Sequence, residues 1–139
     1  MTTSVYKKPL PRPENRELTK PYWEAIKRHE LVMQRCKQCD RLIFYPREQC
    51  PHCFAQDFEW APVSGKGRVH AYTIVHQPAN AAFQDDAPFV FALIQLDEGP
   101  RLISNVVGCD PRDVRVDMPV VATYDDVTPE WTLVKFRPA

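Results

Sequence analysis

The sequence predicts a mainly β protein with an N-terminal helix, a small metal-bound ribbon and a C-terminal five-stranded barrel of the OB type. Two Cys-x-x-Cys pairs stand ten residues apart, a pattern typical of a zinc ribbon. A short amphipathic stretch precedes these pairs, and the chain beyond them reads almost entirely as strands. We therefore expect three units, formed by residues 1–30, 31–60 and 61–139.

The N-terminal unit is predicted to be an extended arm followed by a short helix. Residues 1–17 contain three prolines and no apolar period, which favours an extended chain. Thr19 is a suitable N-cap and Pro21 suits a first helical turn. The apolar stripe of the helix is formed by Tyr22, Trp23, Ala25 and Ile26. A helix of about ten residues is marginal alone, so it must dock, and the sequence leaves open whether Trp23 packs on its own chain or on a partner.

The ribbon is predicted from Cys36, Cys39, Cys50 and Cys53. Four thiolates make a closed tetrahedral site of the structural kind, with no position for water or substrate. We expect one structural zinc ion per chain, since so short a segment cannot bury a sufficient core of its own. The alternatives are two disulfides, ordinary buried thiols, or replacement of one cysteine by His52. Between the pairs, the apolar run Leu42–Pro46 is more than a small ribbon can bury and indicates an interface.

The C-terminal unit is predicted to contain five strands. They are expected at Arg68–His76, Phe89–Leu96, Arg101–Val107, Val120–Tyr124 and Trp131–Phe136. A helical turn capped by Asp110 lies between the third and fourth strands, which fits a small Greek-key barrel; a five-stranded sandwich fragment is the alternative. The loop 78–88 is long for a hairpin and is either a binding loop or a surface excursion.

Composition excludes several classes of protein. Eighteen basic and eighteen acidic residues give a net charge of zero, so there is no general attraction to nucleic acid or anionic membrane. There is no run of eighteen apolar residues, and Met1–Val5 lacks the apolar region of a secretory signal.

The cysteines indicate a compartment. Thiols arranged to bind a metal fit a reducing compartment, and we expect the cytoplasm. The fifth cysteine, Cys109, is expected to be a small buried hydrophobe.

Catalytic patterns are weak in this sequence. There is no Gly-x-Ser-x-Gly, no glycine-rich phosphate loop and no His-x-x-x-His. His70 and His76 share a strand face by parity, but solvent-facing histidines are the simpler interpretation. No catalytic residue is therefore predicted.

The order of short motifs resembles a known family. These motifs are Tyr22–Ala25, Gln34–Cys39, Pro46–Cys53, Gly65–Gly67, Val75–Pro78, Leu96–Gly99, Val107–Pro111, Met118–Val120 and Lys135–Pro138. Together they resemble the acyl-CoA-associated zinc-ribbon/OB-fold family, catalogued as domain of unknown function 35. Asp40 and Asp117 stand where the family often has Gly, and both positions are expected to need a positive φ.

The resemblance implies N-terminal helices, a rubredoxin-like zinc ribbon and an OB barrel. It further implies a non-catalytic accessory subunit of a thiolase-superfamily enzyme, such as a thiolase, an aldolase or an acyltransferase, acting on an acyl-CoA substrate. The zinc ligands of the family correspond to the four cysteines. The alternative function is that of a single-stranded nucleic-acid-binding protein, which the neutral charge and the absence of a basic, aromatic strand face disfavour.

Two surfaces are predicted on this basis. The helix and ribbon are expected to bind the partner enzyme through Trp23, Ile26, Ile43, Phe44 and Tyr45. Acyl-CoA, if contacted directly, is placed near the junction of ribbon and barrel at Trp60 and Arg68. The sequence does not identify the thioester, the partner or the pathway.

Overall fold

The computed structural model describes residues 7–139 of the chain. The first six residues of the predicted arm, including Met1–Val5, lie outside the described residues. The regular elements are α1 (Arg16–Lys27), β1 (Val32–Cys36), β2 (Leu42–Ile43), β3 (Phe58–Pro62), β4 (Lys66–Val75), β5 (Phe89–Leu96), β6 (Arg101–Val106), β7 (Pro119–Asp125) and β8 (Leu133–Pro138). Two 3₁₀ helices, Ala81–Asp86 and Pro111–Asp113, interrupt the strands. The prediction of a mainly β fold with one N-terminal helix is confirmed.

Helix α1 begins earlier than the sequence pattern indicated. Its N-cap is Asn15, whose side chain accepts a hydrogen bond from the Leu18 amide at 3.1 Å. Thr19, the predicted cap, lies inside the helix and donates its hydroxyl to the Asn15 carbonyl. Asparagine is at least as good an N-cap as threonine, so the upstream site prevails. Pro21 is consequently inside the helix, where its missing amide leaves the Glu17 carbonyl without the usual intrahelical hydrogen bond.

The ribbon is a three-stranded antiparallel sheet in the order β2-β1-β3. Strand β1 pairs with both neighbours, and β3 follows it from Val32 opposite Pro62 to Cys36 opposite Phe58. The Gln34 side chain is buried and exchanges two hydrogen bonds with the Arg47 backbone, at 2.7 and 3.0 Å. These bonds fix the chain between the two cysteine pairs, since a buried amide must satisfy both its donor and its acceptor.

The C-terminal strands close into a barrel in the order β4-β5-β6-β8-β7. Strand β4 pairs with both β5 and β7, and the contact of β6 with β8 is parallel. This is the OB arrangement, so the sandwich alternative is wrong. Gly67 allows β4 to lie this close to β5, because a Cβ there would lie 2.4 Å from the Gln95 carbonyl oxygen.

One apolar core joins the helix, the ribbon and the barrel. The barrel contributes alternating inward residues, of which Phe136, Ile94 and Val69 are fully buried. Tyr22 and Ile26 from α1 and Met33 from β1 belong to the same cluster. The division at residues 30/31 and 60/61 remains a prediction, because the packing is continuous across the units. Among the described residues, no helix is both long enough and apolar enough to cross a membrane.

Candidate metal centre and junction groove

The four predicted cysteines meet at one point at the end of the ribbon. The sulfurs of Cys36, Cys39, Cys50 and Cys53 all lie within 4.8 Å of one another. The closest pairs are Cys36 with Cys53 at 3.5 Å and Cys39 with Cys50 at 3.7 Å. All five cysteines of the chain are free thiols, so the two-disulfide alternative is wrong.

Two equivalent backbone turns aim these sulfurs at a common centre. In the first, the Asp40 amide donates to the Cys36 carbonyl at 2.8 Å; in the second, the Phe54 amide donates to the Cys50 carbonyl at 2.9 Å. Each turn closes through a left-handed residue, with φ of 64° at Asp40 and 66° at Phe54. The positive φ expected at Asp40, and likewise at Asp117 (φ 68°), is observed. The equivalence of the two cysteine pairs could have predicted Phe54 as well.

The backbone around the cluster favours two of the thiolates. The amide of Cys39 lowers the pKa of Cys36 despite burial. Burial raises the pKa of Cys50, but the amides of Cys53 and His52 outweigh it and bring the pKa to about 7. Burial and hydrogen bonds within the cluster raise the pKa of Cys39 and of Cys53. Thiolates are the form that binds metal, so the surrounding backbone favours this form at two of the four positions.

The cysteine cluster fits a tetrahedral metal ion. A zinc ion with four sulfur ligands at about 2.3 Å requires sulfur–sulfur edges of about 3.8 Å, close to the two shortest pairs. His52 is exposed and accepts a hydrogen bond from Arg41 at 3.0 Å, outside the cluster. Over residues 7–139 these cysteines are the only group of three or more potential ligands close enough to hold a metal. Four protein ligands leave no position for substrate.

A groove runs over an open seam of the barrel. Strand β6 pairs with β8 only where Val106 faces Phe136, so the first half of β6 has no strand neighbour on that side. Helix α1 and the ribbon cover this seam. The Tyr45 hydroxyl accepts a hydrogen bond from the Ile103 amide at 3.2 Å. We call the resulting cavity of about 450 Å³ the junction groove; its apolar lining includes Tyr22, Trp23, Phe44, Tyr45, Phe91, Leu102 and Ile103.

The five residues predicted to bind a partner divide into two groups. Tyr45 is 48% exposed, whereas Trp23 and Phe44 are half-buried against the core. Ile26 and Ile43 are 1% and 4% exposed, so they pack within the chain and cannot present surface to a partner. The prediction for Ile26 and Ile43 is therefore corrected: Ile26 packs in the core shared with the barrel, and Ile43 is buried within the chain, which the sequence did not reveal.

Other large apolar residues are exposed on the barrel near Tyr45. Phe91 on β5 is 46% exposed and Ile103 on β6 is 50% exposed, and both line the junction groove. Sequence analysis assigned their strands but not their outward direction. The alternation of buried and exposed residues in β5 and β6 places Phe91 and Ile103 on the outer face of the barrel. The sequence alone does not show which of the two alternating faces points inward.

The residues suggested for acyl-CoA lie apart from this groove. Trp60 on β3 is half-buried against the core, and exposed Arg68 on β4 lies 3.8 Å from the carboxylate of Asp117. Neither side chain lines the junction groove. Cys109, expected to be buried, is partly exposed beside a neighbouring groove. The assignment of Trp60 and Arg68 remains a prediction.

The C-terminus of α1 is anchored to the barrel by a polar contact that sequence analysis missed. His29 adopts a left-handed conformation (φ 60°), and Glu30 bonds back to the Ala25 carbonyl, as in a Schellman motif. The His29 ring stacks on Tyr124 at 5.0 Å and contacts the Asp126 carboxylate at 3.0 Å. The Asp126 carboxylate also accepts a hydrogen bond from the Thr132 hydroxyl at 2.6 Å.

This arrangement defines a class of protein: a closed cysteine ribbon joined through a shared core to an OB barrel. Family models agree with it. Residues 23–59 match the rubredoxin-like zinc ribbon domain of ChsH2, and residues 60–125 match the ChsH2 C-terminal OB-fold domain. A DUF35 domain-containing scaffold protein of Methanocaldococcus jannaschii is 42% identical over 104 residues, covering 73% of each chain. The chain belongs to the DUF35 family.

Other relatives are named as subunits of enzymes. A probable enoyl-CoA hydratase alpha subunit of Thermomonospora curvata is 40% identical over 93% of this chain, which spans only 40% of that protein's length. The benzoylsuccinyl-CoA thiolase subunit BbsA of Geobacter metallireducens is 30% identical over 53% of this chain and 48% of its own. A solved structure titled Ltp2-ChsH2(DUF35) aldolase contains a chain with 39% identity and a TM-score of 0.81, matched over 91% of this chain and 98% of that one.

Proposed function

We propose that this protein is a non-catalytic accessory subunit that binds a thiolase-like enzyme and supports its reaction on an acyl-CoA substrate. The observation that carries the proposal is the almost complete match to the DUF35 chain of a structure titled an aldolase. The names of the hydratase and thiolase subunits supply the CoA-thioester class. The relatives and family models described above do not point to nucleic-acid binding.

The metal centre supports a structural role. Its four ligands close the coordination sphere, so the ion would stabilise the ribbon instead of activating a substrate. We propose zinc, one ion per chain, held by Cys36, Cys39, Cys50 and Cys53. A thiolate site of this kind is maintained in a reducing compartment, and we therefore keep the cytoplasm as the proposed location.

The partner surface is proposed to be the exposed apolar patch formed by Tyr45, Phe91 and Ile103. These three side chains come from the ribbon and from two barrel strands and surround one groove, so the patch depends on all parts of the fold. Clusters of exposed apolar side chains mark interaction sites more often than isolated exposed apolar side chains do. Trp23 and Phe44, which support the groove from beneath, are proposed to contribute to the patch through its shape.

The test is co-purification with a thiolase-like protein encoded beside this chain's gene. Phe91→Ser and Ile103→Ser should each weaken the complex by about 2 kcal/mol, the scale of an interface anchor. The matched control is Val116→Ser, because Val116 is also apolar and 58% exposed but lies in the turn that bonds to β4. The variants must retain metal and wild-type melting. Turnover of an acyl-CoA by the isolated chain, or unchanged binding of both patch variants, would refute the proposal.

A further inference from the structure

A second cavity in this molecule is positively charged. The N-terminal arm, the loop at Asn80 and the ring of Trp131 enclose a volume of about 590 Å³. We call this the basic cleft; its lining includes Lys7, Lys8, Arg12 and Arg16, and no acidic residue of the described part of the chain lines it. Four cations around one cavity stand out in a chain whose net charge is zero.

Three of these cations have no acidic partner. Within residues 7–139, no carboxylate lies within 4.0 Å of Lys7, Arg12 or Arg16. Asp86 is paired with Lys8, and Glu14 does not line the cleft. Like charges held together without counter-charges destabilise a surface, so the arrangement indicates an anionic ligand.

The basic cleft adjoins an apolar groove. Lys8 lines both cavities. Beyond it, a cavity of about 550 Å³ extends between the first 3₁₀ helix and the barrel; its apolar lining includes Phe83, Phe89, Phe91, Val107, Cys109 and Leu133. Because Phe91 also lines the junction groove, the path runs from the cations to the proposed partner surface.

We infer that the basic cleft binds the phosphorylated nucleotide head of a CoA thioester and that the adjoining groove receives its less polar arm. This inference rests on the proposed function for the class of ligand. A CoA thioester is polyanionic at one end and apolar at its acyl end, and the two cavities have this same order. Guanidinium groups are well suited to phosphate, and Trp131, held at 5.1 Å against Trp23, offers an aromatic surface for a base.

The geometry favours CoA over a nucleic acid. A single-stranded nucleic acid needs a basic groove that follows its backbone over several nucleotides. Here the three cleft cations without an acidic partner within residues 7–139 line one cavity, and the path beyond Lys8 is mostly apolar. Its charged residues are Asp86, which is paired with Lys8, and Lys135, which is paired with Asp125. The site also differs from the predicted position at Trp60 and Arg68, neither of which lines either cavity.

The test is calorimetric titration of the full-length, metal-loaded chain with CoA. We expect saturable binding that weakens as salt increases, and about tenfold weaker binding for each of Arg12→Glu and Arg16→Glu. The matched control is Arg115→Glu. Arg115 is exposed and, among the described residues, also lacks an acidic partner within 4.0 Å, but it lies outside the cleft. Pantetheine, which has no phosphate, should bind more weakly and be insensitive to these substitutions.

Several outcomes would overturn the inference. They are no saturable binding of CoA, equal effects of the Arg115 and cleft variants, or tighter binding of a single-stranded oligonucleotide than of CoA. If Arg12→Glu still joined a thiolase-like partner and left the KM of the complex for its acyl-CoA unchanged, this inference would fail while the proposed function survived. If the wild-type chain joined no such partner, the proposed function would fail whether or not CoA bound.

Discussion

Substitutions at Trp23 separate two roles for this side chain. Its indole packs edge-on against Tyr22 at 5.2 Å and Trp131 at 5.1 Å, joining α1 to the β7–β8 loop. Its Nε1–H is buried and has no hydrogen-bond acceptor among the described residues. The ring therefore stabilises the fold while its polar atom opposes that stabilisation, and the two effects can be measured separately.

The magnitudes follow from these contacts. Truncating a large aromatic side chain in a core costs about 3–5 kcal/mol, and a half-buried residue falls at the lower end. Lost aromatic pairing adds about 1 kcal/mol, and removing an unsatisfied donor returns about 1 kcal/mol or more. Trp23→Ala should thus lower the free energy of unfolding by about 3 kcal/mol. Trp23→Phe keeps a ring and removes the donor, so it should stay within about 1 kcal/mol of wild type.

Denaturant unfolding of the metal-loaded chain measures both variants, with constant m-values as the check on two-state behaviour. Trp23→Phe should also still bind the partner, because the side chain acts inside the chain. If Trp23→Phe were as destabilising as Trp23→Ala, the Nε1–H would have an acceptor and the reasoning would be wrong. If it folded normally but lost the partner, Trp23 would be an interface anchor after all.

Three further changes test the ribbon and the anchoring of the helix. Elemental analysis should find one zinc per chain; Cys50→Ser should lose it and melt at a lower temperature, since metal binding in such segments is largely folding energy. Phe54→Gly should stabilise the ribbon by about 1 kcal/mol in thermal melts, because glycine adopts positive φ without strain; destabilisation would mean that the exposed ring makes compensating contacts. Hydrogen bonds from the Thr132 hydroxyl and, to a smaller extent, from His29 lower the pKa of Asp126 in the folded state. The ionised carboxylate therefore stabilises the fold at pH values above its unfolded pKa of about 3.9. This stabilisation is lost as the pH falls through the lower, folded pKa. Asp126→Asn should therefore be less stable than wild type near neutral pH, and denaturation from about pH 6 to about pH 2 should show the difference disappearing; a difference independent of pH would contradict this.

The sequence was most informative where chemistry restricts the residue type. Paired cysteines specify a metal site by spacing alone, and Asp40 showed where the first turn needs a positive φ. The five barrel strands were found because buried strands in a small barrel are mostly apolar. Each of these features depends on residues that are close together in the chain, so it can be predicted from a single sequence.

Features that depend on which surfaces meet were not predictable in this way. Ile43 and Tyr45 belong to one apolar run, yet Ile43 is buried and Tyr45 is half exposed, and nothing in the run itself distinguishes the two. Asn15 and Thr19 are both acceptable caps, and the choice depends on how far α1 extends over the seam. The basic cleft combines the arm with a loop some seventy positions away, which no local pattern reveals.

If the chain is the accessory subunit proposed above, the continuous core explains how it could affect the reaction of a partner. The two cysteine turns connect β1 and β2, and Tyr45, which follows β2, accepts a hydrogen bond from the Ile103 amide of β6. Helix α1 is held at its other end by His29 and Asp126. The junction groove therefore keeps its shape only while both attachments are intact, and losing either should weaken partner binding without touching the exposed patch. A protein acting through a preformed surface is sensitive to such distant supports, because preorganisation determines how much of the contact energy appears as affinity.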